Sequence, residues 1–140
     1  MVVRVNVKIV NEDKNRECIV TVLVNSGAES EDPVIVIDSE IAKRLEIDFN
    51  DLELIEVELA SGKTHNYISR KKYRLELIDE YGHTLSHTYA YIAIDDELSE
   101  PLITDVTIDE LGIQIIRFKE GLWRHVNDPI DKVRKSVERK

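Results

Sequence analysis

The first residues alternate in character: Val3, Val5, Val7 and Ile9 are apolar, and Arg4, Asn6 and Lys8 between them are polar. A period of two sends successive side chains to opposite faces, so this segment predicts a half-buried strand. Asn11 to Asn15 is polar and predicts a hairpin turn. Cys18 to Val24 is an apolar run broken only by Thr21, the pattern of a strand buried on both faces. It ends at Asn25-Ser26-Gly27-Ala28, where the glycine permits a tight reversal. Val34 to Ile37 predicts a further short strand. Asp38 or Ser39 then caps a short helix with Ile41, Ala42 and Leu45 on one face.

The second half repeats the strand-and-turn rhythm. Leu52 to Leu59 and His65 to Ile68 flank Ser61-Gly62-Lys63 and predict a long, exposed β-hairpin. Tyr73, Leu75 and Leu77 alternate with Arg74 and Glu76. Tyr81-Gly82-His83 turns the chain into a strand from Leu85 to Ile94, with His87, Tyr89, Tyr91 and Ala93 on one face. Pro101-Leu102-Ile103 is an apolar stub. Thr107 and Glu110 have the spacing of a capping box for one or two helical turns, which Gly112 stops. Ile113 to Phe118 and Leu122 to Val126 predict a last hairpin around Gly121. Pro129 behind Asp128 predicts a C-terminal helix with Ile130, Val133 and Val137 on one side. The pattern predicts a mostly β chain with short helices inside and one at the end.

Composition narrows the function classes. A chain of 140 residues suits one domain with a real core. The net charge of −9 is spread along the length and argues against nucleic acid and against anionic membrane surfaces. The N-terminus lacks the pattern of a signal peptide, and no apolar stretch approaches the roughly 20 residues that span a bilayer, so a cytoplasmic protein is expected. Cys18 is the single cysteine and reads as a buried reduced thiol. His83 and His87 are four apart, but on a turn and strand rather than a helix, with no partner at metal spacing. Asp95-Asp96-Glu97 lacks the glycine and spacing of a calcium loop. No phosphate-cradling glycine loop and no nucleophile elbow around Ser26 is present. Neither a metal nor a cofactor is expected.

The stretch Val22-Leu23-Val24-Asn25-Ser26-Gly27-Ala28-Glu29-Ser30 resembles the signature of the retropepsin-like aspartic peptidases: two apolar residues, Asp, Thr or Ser, Gly, then Ala or Ser. The order of the other segments resembles that family too. Ile41-Ala42-Lys43-Arg44-Leu45 matches its helix, and Ala60-Ser61-Gly62 its flap tip. Pro101-Leu102-Ile103-Thr104 precedes Leu111-Gly112-Ile113, and Arg117-Phe118-Lys119-Glu120-Gly121 closes the pattern. The resemblance implies a closed antiparallel barrel-like retropepsin (acid protease) fold with a short internal helix over residues 1–126. A C-terminal helical tail over 127–140 would follow. It implies an aspartic endopeptidase that works as a homodimer on proteins or peptides. By the same resemblance Ser26 would steady the loops across the dimer axis, and Gly27 would run beside substrate. Glu29 would bind the substrate main chain, Ala28 would belong to the substrate-binding site, and Ser61 and Gly62 would close over the peptide.

Two residues depart from the family pattern. Thr104 stands where the family has a glycine, and implies a wider approach between that segment and the signature loop. Asn25 stands where each subunit supplies its catalytic aspartate. In that family two carboxyls about 3 Å apart share one proton, activating a water and protonating the peptide carbonyl. An asparagine amide has nearly the same shape but no proton to exchange near neutral pH, so this chain is expected to be inactive. The retention of Ser26, Gly27, Ala28, Glu29 and Gly62 favours an engineered Asp→Asn change. The alternative is a natural pseudoenzyme that serves as a non-catalytic peptide-binding or dimerisation module.

Overall fold

The computed structural model describes residues 2–59 and 62–139. The alternating N-terminal segment forms β1 (Arg4–Asn11), with every second residue from Val5 to Asn11 buried. A 3-10 turn at Glu12–Lys14 and a left-handed Asn15 (φ 52°) return the chain as β2 (Arg16–Val24), antiparallel to β1 with Ile9 opposite Cys18 and Val5 opposite Val22. β2 is not buried on both faces, as its apolar run suggested. Val20, Val22 and Val24 enter the core, Cys18 is half-buried and Ile19 is 55% exposed. Only one layer covers this strand, so its outward row meets solvent.

β3 (Val34–Ile37) leads into α1 (Ser39–Arg44), and Asp38 caps it by accepting from the Ile41 N–H at 2.9 Å. The other end of α1 is met by Asn11. This buried side chain donates from Nδ2 to the Leu45 carbonyl at 2.8 Å and so satisfies a terminal acceptor. β4 (Leu52–Leu59) and β5 (Gly62–Ser69) form the expected hairpin, with Leu59 opposite Gly62; Ala60 and Ser61 lie outside the described residues. β6 (Tyr73–Ile78), β7 (Thr84–Ile94), β8 (Leu102–Ile103) and α2 (Asp105–Glu110) follow.

Six strands close into a barrel in the order β1-β2-β8-β3-β7-β6. Most neighbours are antiparallel, but β2–β8 and β3–β7 are parallel. The β4–β5 hairpin leaves the ring from β7 through the pairs Tyr67–Ile94 and Ile68–Ala93. Val5, Val7, Ile9, Val22, Ile35, Leu75, Leu77, Ile92 and Ile103 fill the interior. Each fully buried side chain of this kind contributes roughly 1.5–3 kcal/mol by leaving water. Within a mostly β fold with two short helices, closure removes the exposed edges that an open sheet would carry, except where β8 is too short to cover β2.

Two helix expectations are corrected. α2 begins at Asp105, not after Thr107. The Thr107 hydroxyl is buried and accepts from the Val34 N–H at 2.8 Å, so it joins α2 to β3 rather than capping a helix. The C-terminal helix does not form. β9 (Ile113–Arg117), β10 (Leu122–His125) and β11 (Arg134–Lys135) make a three-stranded sheet instead. Asp128, the expected helix cap, accepts from the His125 N–H and takes both arms of Arg134, Nε to Oδ2 and Nη2 to Oδ1, each at 2.8 Å. Arg134 is buried over the Trp123 ring. Ile130, meant for the apolar helix face, is 95% exposed. A buried, forked ion pair outweighs a short helix of marginal propensity. Residues 134–137 also tie back to the N-terminus, with Val137 N–H donating to the Arg4 carbonyl at 3.0 Å.

Candidate functional site

The candidate turn starts where β2 leaves the barrel. Val24 N–H donates to the Val3 carbonyl at 2.9 Å, the last rung before Asn25. The Asn25 side chain folds onto its own turn: Oδ1 accepts from the Gly27 N–H at 3.1 Å. The Ala28 N–H donates to the Asn25 carbonyl at 3.1 Å. Asparagine and aspartate both make such local bonds, which is why they suit turns. Gly27 is needed for space: a Cβ there would stand 3.3 Å from Asn25 Oδ1. Asn25 and Ala28 are half-buried, and Ser26, Gly27 and Glu29 are exposed.

The turn is held from behind by the start of α2. The Asp105 N–H donates to the Ala28 carbonyl at 2.9 Å, and Asp105 Oδ1 accepts from the Ser30 N–H at 3.1 Å. Ser30 Oγ and Thr104 Oγ1 are 2.7 Å apart, and Thr104 Oγ1 and Thr107 Oγ1 are 2.9 Å apart. Each hydroxyl has one hydrogen to donate. Ser30 donates to the Asp32 carbonyl at 2.7 Å, so Thr104 donates to Ser30. Thr104 thus bonds directly to the segment that leaves the Asn25 turn. Its hydroxyl is accepted into a chain of hydrogen bonds, and the two segments stay in direct contact.

The site residues divide accordingly. Asn25, Ser26, Gly27, Ala28 and Glu29 lie together on one turn. Gly62 opens β5, while Ser61 is outside the described residues. Ser30, Asp105 and Thr107 position the turn, a role the sequence did not suggest for any of them; Thr107 was expected in a capping box instead. The only signal pointing to them was the threonine at the family's glycine position. The carboxylates following the turn are Glu29, Glu31 and Asp32, with Lys72 Nζ 3.6 Å from Asp32 Oδ1. Among the described residues no group of three or more His, Cys, Asp and Glu side chains is placed to hold a metal ion. No helix among them is long and apolar enough to cross a membrane. No protein-family model matches the chain, and no curated protein matches it.

An amide at position 25 can accept and donate hydrogen bonds but cannot transfer a proton near neutral pH. A carboxylate in the same place would accept the Gly27 N–H, which favours its ionised form.

Proposed function

We propose that this chain is a subunit of a retropepsin-like aspartic endopeptidase that acts as a homodimer on proteins or peptides, inactive as written because Asn25 replaces the catalytic aspartate. The supporting observation is the Asn25 turn itself. It projects from the end of a barrel strand, carries the Ser-Gly-Ala sequence, and is braced from behind by the first residue of α2. A rigid loop that offers one side chain toward a two-fold axis is what a shared dyad requires. The closed six-stranded barrel agrees with this reading. The cleft would take an extended peptide by adding main-chain hydrogen bonds.

The test is Asn25→Asp. The variant is checked for folding and for dimer formation by sedimentation, then assayed on unfolded protein substrates from acidic to neutral pH. Cleavage that Asn25 lacks supports the reading. A folded dimer that cleaves nothing removes it.

The second reading is a natural pseudoenzyme that binds peptides without turnover. The bond from Gly27 N–H to Asn25 Oδ1 favours it, because asparagine serves this turn as well as aspartate would. It requires peptide affinity that is unchanged by Asn25→Asp.

A further inference from the structure

A second peptide-shaped feature lies away from the Asn25 turn, along the outer edge of β2. Val24 N–H bonds to Val3 on β1, whereas Leu23 N–H bonds to the Pro101 carbonyl on the opposite side. In an antiparallel ladder the direction alternates with each residue, so Ile19 and Thr21 also point their N–H and C=O groups away from β1. β8 covers only Leu23 and Val24. Among the described residues, no side chain or loop carbonyl accepts from the N–H of Ile19 or Thr21, and only the Cys18 thiol, at 4.0 Å, approaches the Ile19 carbonyl.

This edge is one wall of a groove of about 360 Å³. Cys18 to Thr21 line one side, and α1 with the loop 95–101 lines the other. None of its lining residues belongs to the Asn25 turn. α1 flanks the slot, which favours one extended chain over a whole second sheet as its occupant. Its rim carries four carboxylates, Asp38, Glu40, Asp95 and Glu100, against two guanidinium groups, Arg44 and Arg139. Arg44 lies 3.4 Å from Glu40, and Glu100 is held by both Arg139 at 2.9 Å and Arg4 at 3.1 Å. Asp38 and Asp95 have no ion pair among the described residues. Exposed Ile19 adds an apolar contact.

We propose that the free edge of β2 is a separate binding site for an extended peptide of alternating basic and apolar residues, which joins the barrel as an added strand in the row that β8 leaves unfilled. The experiment uses the full chain and residue-resolved hydrogen exchange, with blocked Lys-Val-Lys-Val-Lys-Val as probe and Glu-Val-Glu-Val-Glu-Val as its counterpart. In the free protein the Ile19 and Thr21 amides exchange fast, and the Val20 and Val22 amides slowly. At ten times its Kd the basic peptide slows Ile19 and Thr21 about tenfold, and the acidic peptide does not. Ile19→Pro removes a donor that the barrel does not use, and abolishes this protection. Asp95→Lys, on the half-buried rim, weakens it without touching the strand. The proposal is overturned if the basic peptide gives no protection, or if both peptides protect equally. Protection confined to residues 25–29 also overturns it, since that belongs to the proposed cleft. So does protection that rises with protein concentration alone, which identifies a second copy as the occupant.

Discussion

Ser30 and Thr104 share a hydrogen bond of 2.7 Å that ties the loop leaving the Asn25 turn to the residue before α2. Thr104 is buried, and its hydroxyl also meets Thr107. The turn is thus positioned by a polar chain running inward to the β3 backbone, not by its own sequence alone.

Thr104→Val tests that chain. The isosteric methyl cannot bond Ser30 or Thr107, and leaves them short of a buried partner. The expected cost is about 1–3 kcal/mol, read as a lower urea midpoint with an unchanged slope. In an Asn25→Asp background the same change lowers turnover by loosening the loop. A variant as stable as the parent would show that the hydroxyl chain contributes nothing.

Gly112→Ala and Gly82→Ala separate crowding from backbone strain. Both glycines have positive φ, +75° and +82°, but a Cβ at Gly112 would stand 2.7 Å from Val126 Cγ1 and 3.0 Å from His125 Nε2, whereas Gly82 faces open space. Gly82→Ala should cost about 1 kcal/mol from φ alone, and Gly112→Ala clearly more. Thermal melts of the two variants give the order directly, and equal losses would refute the packing argument.

The Asp128–Arg134 fork predicts an acid-sensitive term in stability. Arg134 beside Asp128 holds its carboxyl well below the usual carboxylate range. A carboxyl lowered in the folded state stabilises the fold fully above its unfolded value, near ~3.9, and loses that contribution as the pH falls toward its folded value. The stability gap between the parent and Asp128→Asn should therefore be constant from pH 7 to about pH 5 and shrink below about pH 4. Urea titrations at several pH values measure it, and a gap independent of pH would sink the assignment.

Leu75→Ala probes the barrel interior. Leu75 is fully buried, opposite Ile9 across the β1–β6 pairing. The expected loss is about 2–5 kcal/mol, because the closed ring collapses poorly around the space left. A loss below about 1 kcal/mol would mean that the interior repacks.

Much of the architecture was legible in the order of apolar runs. The alternation at Val3–Ile9, the β1–β2 turn, the Asp38 cap, the β4–β5 hairpin and the Gly112 stop all rest on local rules that the structure obeys. The candidate turn was legible as well, because Asn25-Ser26-Gly27-Ala28 combines a side chain that bonds its own backbone with a glycine that clears room for it. Ser30, Asp105 and Thr107 were not, since each acts on residues more than seventy positions away in the chain or receives from them.

The sequence by itself therefore determined where strands and turns fall, since these depend on the period of apolar side chains and on local backbone freedom. Only the tertiary structure decided three matters: which face of β2 meets solvent, that the C-terminal segment adds the short strand Arg134–Lys135 instead of a helix, and what braces Asn25. Each depends on partners remote in sequence, a short β8, the buried Arg134 beside Asp128, and the Thr104 hydroxyl beside Ser30, and a local pattern carries no information about contacts of that kind.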